Sequence, residues 1–286
     1  MSFSRRIFLG ASAAFVAGAA DAAQDVPAVA GYEKETGGRI GVHAQNLKTG
    51  KKLAWRAEER FVMCSTFKAS LTALTLSRVD RGKEDLGRVI AYGVADLQDF
   101  YAPVAKENLA RGHMTVAEMC EAAVEYSDNA CANLLLASAG GPAAVTNFWR
   151  ATGDAVSRLD HNEPVLNRSK PGDPHDTTTP AAMAGNLRRF LLGDVLSDKS
   201  RTRLLDWMIG CKTGANRLRG GLPPAWQIAD KTGNNGADAA GDIAMVWPAP
   251  DTPLVICVYT QGGKPSDAQF QNVFADIGRA VTRMLV

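Results

Sequence analysis

Alternation of apolar and polar positions is confined to the two ends of the chain. Residues 39–47 alternate through Ile40, Val42 and Ala44, and Lys48-Thr49-Gly50 supplies a turn into residues 51–56, so this stretch predicts a β-hairpin. Residues 226–231, 242–247 and 254–259 are three more short β-rich runs, separated by Gly or Pro turns. Between these ends the apolar period becomes that of helices. Residues 66–79, 117–126, 130–139, 142–150 and 198–209 read as helices, and Thr179-Pro180 caps another that ends at Leu192-Gly193. A short helix over residues 25–36 stops at Gly37-Gly38, and residues 269–285 form an amphipathic one through Phe270, Val273, Phe274, Ile277 and Val281. The order predicts an α+β fold. One antiparallel five-stranded sheet is built from both ends and flanked by N- and C-terminal helices, with an all-α domain inserted and a cleft between the two. The boundaries expected are residues 23–60 and 211–286 for the sheet domain and 61–210 for the helical one.

Over residues 158–180 the helical pattern disappears. Prolines at 164, 171, 174 and 180, with Gly172 and several Asp and Asn residues, predict a loop of roughly twenty residues. Loops that long inside compact domains are functional or disordered.

Composition narrows the function classes. The chain is 46% hydrophobic and 22% charged with a net charge of +2, and no basic stripe or block occurs, which argues against a nucleic-acid partner. After the leader, no apolar run reaches the ~18 residues needed to span a bilayer. The N-terminus differs in kind: Ser4-Arg5-Arg6-Ile7-Phe8-Leu9, the apolar Ala-rich residues 11–20 and small residues near Ala22 read as a twin-arginine export signal cleaved near residue 22, with an ordinary secretory signal as the alternative and a structural helix behind it. Its removal leaves 30 basic against 29 acidic side chains. The expectation is an exported, periplasmic protein, monomeric and free of the membrane. Five cysteines without C-x-x-C spacing and four scattered histidines point to neither a zinc site nor a disulfide framework, so no metal or cofactor is expected.

The chemistry centres on Cys64-Ser65-Thr66-Phe67-Lys68. A serine hydroxyl needs an activating group within hydrogen-bond reach to act as a nucleophile. On a helix starting near residue 66, Ser65 and Lys68 share a face, and Ser65 meets the N–H groups of the helix N-terminus. Such a pair is common by chance, with an N-cap serine and a solvated lysine as the bland alternative. Three further clusters complete it. Ser127-Asp128-Asn129 lies at a junction of two helices, where a hydroxyl and an amide can face a cleft. Lys-Thr-Gly occurs twice: Lys212-Thr213-Gly214 reads as a connection after a helix, whereas Lys231-Thr232-Gly233 ends an edge strand and can present a charge, a hydroxyl and N–H groups to an amide-like substrate. In the long loop, Glu163 and Asn167 can together grip a water, with the carboxylate as its base.

S-x-x-K with S-D-N and K-T-G is the combined signature of class A β-lactamases and penicillin-binding proteins. From about residue 25 to its C-terminus the chain resembles the class A serine β-lactamases, including Arg158-Leu159-Asp160 to Thr179-Pro180 around Glu163 and Leu204-Leu205-Asp206-Trp207-Met208. The resemblance implies that Ser65 is the acylated nucleophile, Lys68 its proton partner, and Ser127 a proton shuttle to the lactam nitrogen assisted by Lys231. It further implies that Asn129 holds the substrate's side-chain amide and that Thr232 and Lys231 bind its carboxylate. The N–H groups of Ser65 and Asn234 would form an oxyanion hole, Glu163 and Asn167 would position the deacylating water, and Tyr101 would wall the cleft mouth. Penicillins and cephalosporins are the implied substrates. A penicillin-binding DD-peptidase or an acylated sensor domain is the rival, and these lack the Glu163/Asn167 loop.

Three departures bear on substrates. Many members carry an arginine on the strand after Lys-Thr-Gly; here Arg217 instead matches the arginine of a branch that includes carbapenem-hydrolysing and extended-spectrum members. Cys64 also resembles that branch, yet its usual disulfide partner is Asn235, and the position some members bridge to Cys120 is Thr72, so free thiols are expected. His161 replaces a common arginine that pairs with the aspartate matching Asp176, which implies a less firmly anchored loop.

Overall fold

A computed structural model describes residues 26–97, 101–168, 170 and 172–286. The export signal expected over residues 1–22 lies outside the described residues. In chain order the elements are α1 (Pro27–Thr36), β1 (Arg39–Asn46), β2 (Lys52–Trp55), β3 (Phe61–Val62), α2 (Phe67–Asp80), β4 (Val89–Ala91), α3 (Val94–Leu97), α4 (Pro103–Glu107), β5 (His113–Thr115), α5 (Val116–Glu125) and α6 (Asn129–Ala139). They continue with α7 (Pro142–Ala151), β6 (Thr177–Thr178), α8 (Pro180–Leu191), α9 (Asp198–Ile209), α10 (Leu218–Gly221), β7 (Gln227–Asn234), β8 (Ala239–Trp247), β9 (Leu254–Gln261) and α11 (Asp267–Leu285). No helix among the described residues is long and apolar enough to cross a membrane.

Five strands pair antiparallel in the order β2-β1-β9-β8-β7. The N-terminal hairpin is therefore annexed to the C-terminal meander through β1 and β9, with Val42 opposite Val258. One face of the sheet buries Ile40, Val42 and Ala44 beneath α1 and α11. Helix α11 brings Phe270, Phe274, Ile277 and Val281 to that layer, each contributing about 1.5–3 kcal/mol of gross burial. The opposite face, through Ile243, Met245, Val255 and Tyr259, packs on the helical region. At its centre runs α2, whose residues Phe67 to Ser77 are all buried.

Local chemistry fixes the helix ends. Thr115 and Glu118 form a capping box on α5, Asp128 caps α6 by accepting from the Cys131 N–H (2.9 Å), and Thr179 with Pro180 starts α8. The inserted region is not wholly helical. Two small ribbons, β4–β5 and β3–β6, tie its segments together, and each strand is too short for alternation to announce it. Strand β7 also continues through Lys231-Thr232-Gly233 to Asn234 rather than ending at the lysine, because its partner β8 begins at Ala239.

Candidate active site

Ser65 lies in a 3-10 turn, Cys64–Thr66, that runs into α2. The turn is wedged against β7. A Cβ on Gly233 would stand 2.9 Å from the Ser65 nitrogen, the Met63 oxygen and the Cys64 Cβ, so glycine is required for this approach. Cys64 (φ 45°) and Ser127 (φ 60°) both adopt left-handed backbone, a strain of about 1–3 kcal/mol each that the packing around them sustains.

The predicted groups converge on one cluster. Lys68 Nζ donates to Ser65 Oγ (2.8 Å), to the Ser127 carbonyl (2.9 Å) and to Asn129 Oδ1 (2.5 Å), and pairs with Glu163 Oε1 at 3.0 Å. Ser65 Oγ in turn donates to Glu163 Oε1 (2.9 Å), so the hydroxyl bridges an ammonium and a carboxylate whose side chains are both fully buried. Glu163 Oε2 accepts from Asn167 Nδ2 (2.6 Å), while Asn167 Oδ1 is buried with no partner. Across the cleft, Lys231 Nζ donates to Ser127 Oγ (3.0 Å) and to the Thr232 carbonyl (2.7 Å). Burial lowers the Lys231 ammonium to about 7. β7 is the edge strand of the sheet, as the motif required. Chemically this is a hydroxyl with two proton-exchanging neighbours and a second hydroxyl fed by a lysine, set beside the edge strand β7.

The remaining predicted residues flank this cluster. Tyr101 is 58% exposed, and its carbonyl accepts from the Asn129 N–H (3.0 Å). Arg217 Nη1 donates to the carbonyls of Gly233 and Gly241 (2.7 Å each) and its guanidinium stands over the Phe274 ring, so it braces the β7–β8 ends. Asn234 is exposed at the β7 terminus.

Asn133 was not found from sequence, and Asp128 was named there only as the middle of its tripeptide, with no role. Asn133 clasps the main chain of Glu163: its Nδ2 donates to the Glu163 carbonyl (2.9 Å) and its Oδ1 accepts from the Glu163 N–H (3.0 Å). The signal was available, since Asn129 and Asn133 are four apart on α6 and share a face. Asp128, fully buried, accepts from Val104 and Ala105 N–H (3.0 Å each) and pins the segment after Tyr101. The 710 Å³ cavity beside Arg39 and Arg60 carries no such chemistry, because its arginines are engaged by Glu59 and Thr177.

The family model described as the β-lactamase enzyme family matches residues 21–285. β-Lactamase L2 of Stenotrophomonas maltophilia is 46% identical over 257 residues, spanning 90% of this chain and 84% of that protein. This chain belongs to the class A β-lactamases. The solved structure of the class A β-lactamase of the last common ancestor of Gram-negative bacteria matches with a TM-score of 0.86 at 51% identity, over 90% of this chain and 98% of that one. The putative class A β-lactamase PenP from Rhodopseudomonas palustris gives 0.86 at 45% identity, over 90% and 98%. As a class A β-lactamase the protein is a hydrolase that opens β-lactam amides, and the DD-peptidase and sensor readings fall away.

Its departures from common members have structural consequences. All five cysteines are free and buried. Asn235, at the position of the missing cysteine, accepts from the Ala237, Asp238 and Ala239 N–H groups (3.0 Å each) and so builds the β7–β8 turn itself. His161 reaches Asp176 despite its shorter side chain, with Nδ1 2.6 Å from Oδ2. Asp176 Oδ1 also accepts from the Asp160 and His161 N–H groups (2.7 and 3.0 Å), so main-chain bonds carry much of the anchor. No group of three or more His, Cys, Asp or Glu able to hold a metal occurs among the described residues.

Proposed function

We propose that this enzyme hydrolyses penicillins and cephalosporins through an acyl-enzyme on Ser65, with Glu163 as base in both halves of the reaction. The observation that carries this reading is the direct bond from Ser65 Oγ to Glu163 Oε1 (2.9 Å), beside a Lys68 that donates to the same hydroxyl. In acylation, Oγ attacks the lactam carbonyl, the serine proton passes to Glu163, and Lys68 stabilises the developing charge. The N–H groups of Ser65 and Asn234 hold the oxyanion, at about 3–4 kcal/mol per donor. Ser127, held by Lys231 at 3.0 Å, gives its proton to the departing nitrogen and regains one from Lys68, which in turn takes the proton on Glu163, so Glu163 is a carboxylate again before deacylation. Asn129 receives the side-chain amide and Tyr101 lines the mouth, while Lys231, Thr232 and Arg217 form the carboxylate subsite.

In deacylation a water donates to Glu163 and to Asn167 Oδ1, whose buried oxygen otherwise stands alone at a cost of about 1–3 kcal/mol. Arg217 in place of a strand arginine supports carbapenems as candidate substrates. The leader-like residues 1–22 support export to the periplasm by the twin-arginine route, followed by action as a free monomer. The sheet unit (residues 23–60 and 211–286) and the helical unit (61–210) are proposed as the two walls of the cleft. The test is to mix purified enzyme with a penicillin, a chromogenic cephalosporin and a carbapenem, following hydrolysis and intact mass. Sustained turnover of the first two, abolished by Ser65→Ala, is expected. A stable adduct without turnover overturns the mechanism.

A further inference from the structure

The two Lys-Thr-Gly tripeptides meet at their threonines. Lys212-Thr213-Gly214 lies in the connection between α9 and α10, yet Thr213 Oγ1 is 2.5 Å from Thr232 Oγ1, and Cys211 Sγ is 3.4 Å from Thr213 Oγ1. This connection is held from both sides. The Lys212 N–H donates to the Glu125 carbonyl at the end of α5 (2.9 Å). Gly214 sits directly on Asp230, where a Cβ would lie 1.9 Å from Oδ2, and Arg219 Nε holds the other oxygen of that aspartate at 2.6 Å. Thr213 is thereby fixed against β7 beside the proposed carboxylate subsite.

We propose that Thr213 is a positioning residue that aims the Thr232 hydroxyl at the substrate carboxylate, an inference that rests on the reading of Thr232 and Lys231 as that subsite. Each hydroxyl has one hydrogen and two acceptor lone pairs. Only with Thr213 as donor does Thr232 keep its hydrogen free for an anion, and a bond ending on an anion is the charge-assisted one, so the bound carboxylate selects that direction. The Cys211 Sγ stands behind Thr213 Oγ1 at 3.4 Å and is also placed against the Asp230 carboxylate. Burial raises its pKa, which keeps the proton on sulfur. With Thr213 as donor, its dipole and that of Thr232 run in line towards the carboxylate, which strengthens the last bond. No covalent bond changes.

The experiment compares a cephalosporin bearing its free ring carboxylate with the methyl ester of that carboxylate, in enzymes carrying Thr213→Val, Thr213→Ala, Thr213→Ser and Thr232→Val. Removing the hydroxyl with Thr213→Val is expected to lower kcat/KM on the acid about 5–10-fold, the effect of about one hydrogen bond, with kcat within twofold and no change on the ester. Thr213→Ser restores the acid value to within twofold, and Thr213→Ala repeats the split if valine does not fit. If Thr232→Val lowers kcat/KM on the acid while both Thr213→Val and Thr213→Ala leave it unchanged, Thr213 has no such role and the subsite reading survives. Neither position affecting the acid sinks the subsite reading as well. Equal losses on acid and ester reduce Thr213 to a structural role and overturn the inference.

Discussion

Asn133→Ala isolates how the base is held. Asn133 makes two hydrogen bonds to the main chain of Glu163, at 2.9 and 3.0 Å, and Glu163 is only 3% exposed. Alanine would leave a buried N–H and a buried C=O without partners, each at about 1–3 kcal/mol, for a loss of about 2–6 kcal/mol. In a chain of this size each kcal/mol moves Tm by about 2–4 °C, so a fall of about 4–24 °C is expected by calorimetry. The carboxylate would also leave its contacts with Ser65 (2.9 Å) and Lys68 (3.0 Å). A displacement near 1 Å at a reacting group costs on the order of 100-fold, and deacylation, proposed to use Glu163 and Asn167 together, should fall by about that much. Stopped-flow hydrolysis with intact mass would show the adduct accumulating. A Tm within about 1 °C of wild type and turnover within twofold would refute the clasp as the device that holds Glu163.

Three further outcomes follow from the geometry. Burial sets Lys231 near 7, and its charged form, the one proposed to bind the carboxylate, exists below that value; kcat/KM should therefore fall as pH rises through about 7 more steeply on acid substrates than on the ester, and a coincident profile for both would contradict this. His43 is buried with Nδ1 unpartnered and its pKa is lowered from 6.5 to about 4 by burial and the nearby Lys52, so the unfolded chain takes up a proton that the fold refuses. Stability is then present above 6.5 and lost as pH falls towards 4, by about 3 kcal/mol at 1.36 kcal/mol per pH unit; urea titrations of wild type and His43→Leu should diverge across that window, and parallel curves would exclude it. Gly233→Ala places a methyl 2.9 Å from the Ser65 nitrogen and should slow acylation at least about tenfold, whereas an unchanged acylation rate would show that the turn can move aside.

Much of the site was legible because its chemistry is local. Ser65 and Lys68 share one helix face, Ser127 to Asn129 is one tripeptide at a helix junction, and Lys231-Thr232-Gly233 reads along one strand. The five strands and the enclosing helices were legible for a similar reason: β1, β7, β8 and β9 run eight or nine residues, the four-residue β2 follows a Lys48-Thr49-Gly50 turn, and α11 carries a capping box. What stayed hidden depends on contacts across the chain. Asn133 reads as a polar position inside a helix until Glu163 arrives from thirty residues away. Thr213 lies in a connection that looked inert, and only the approach to β7 brings it to Thr232. The shorter reach of His161 implied a less firmly anchored loop, and the substitution gave no sign that Asp176 also accepts from the Asp160 and His161 N–H groups. The ribbons β3–β6 and β4–β5 pair two or three residues each, below the length at which a period exists.

The central claim is that Ser65 carries the acyl group and Glu163 removes it. The most direct test is rapid-quench intact mass on Glu163→Ala mixed with a penicillin. The account predicts that one equivalent of adduct forms more slowly than in the wild type, because acylation loses the same base, then maps to the Ser65 peptide and persists, with steady-state turnover suppressed by about 100- to 10,000-fold, the cost of a lost general base. Wild-type turnover with no trapped adduct would contradict it.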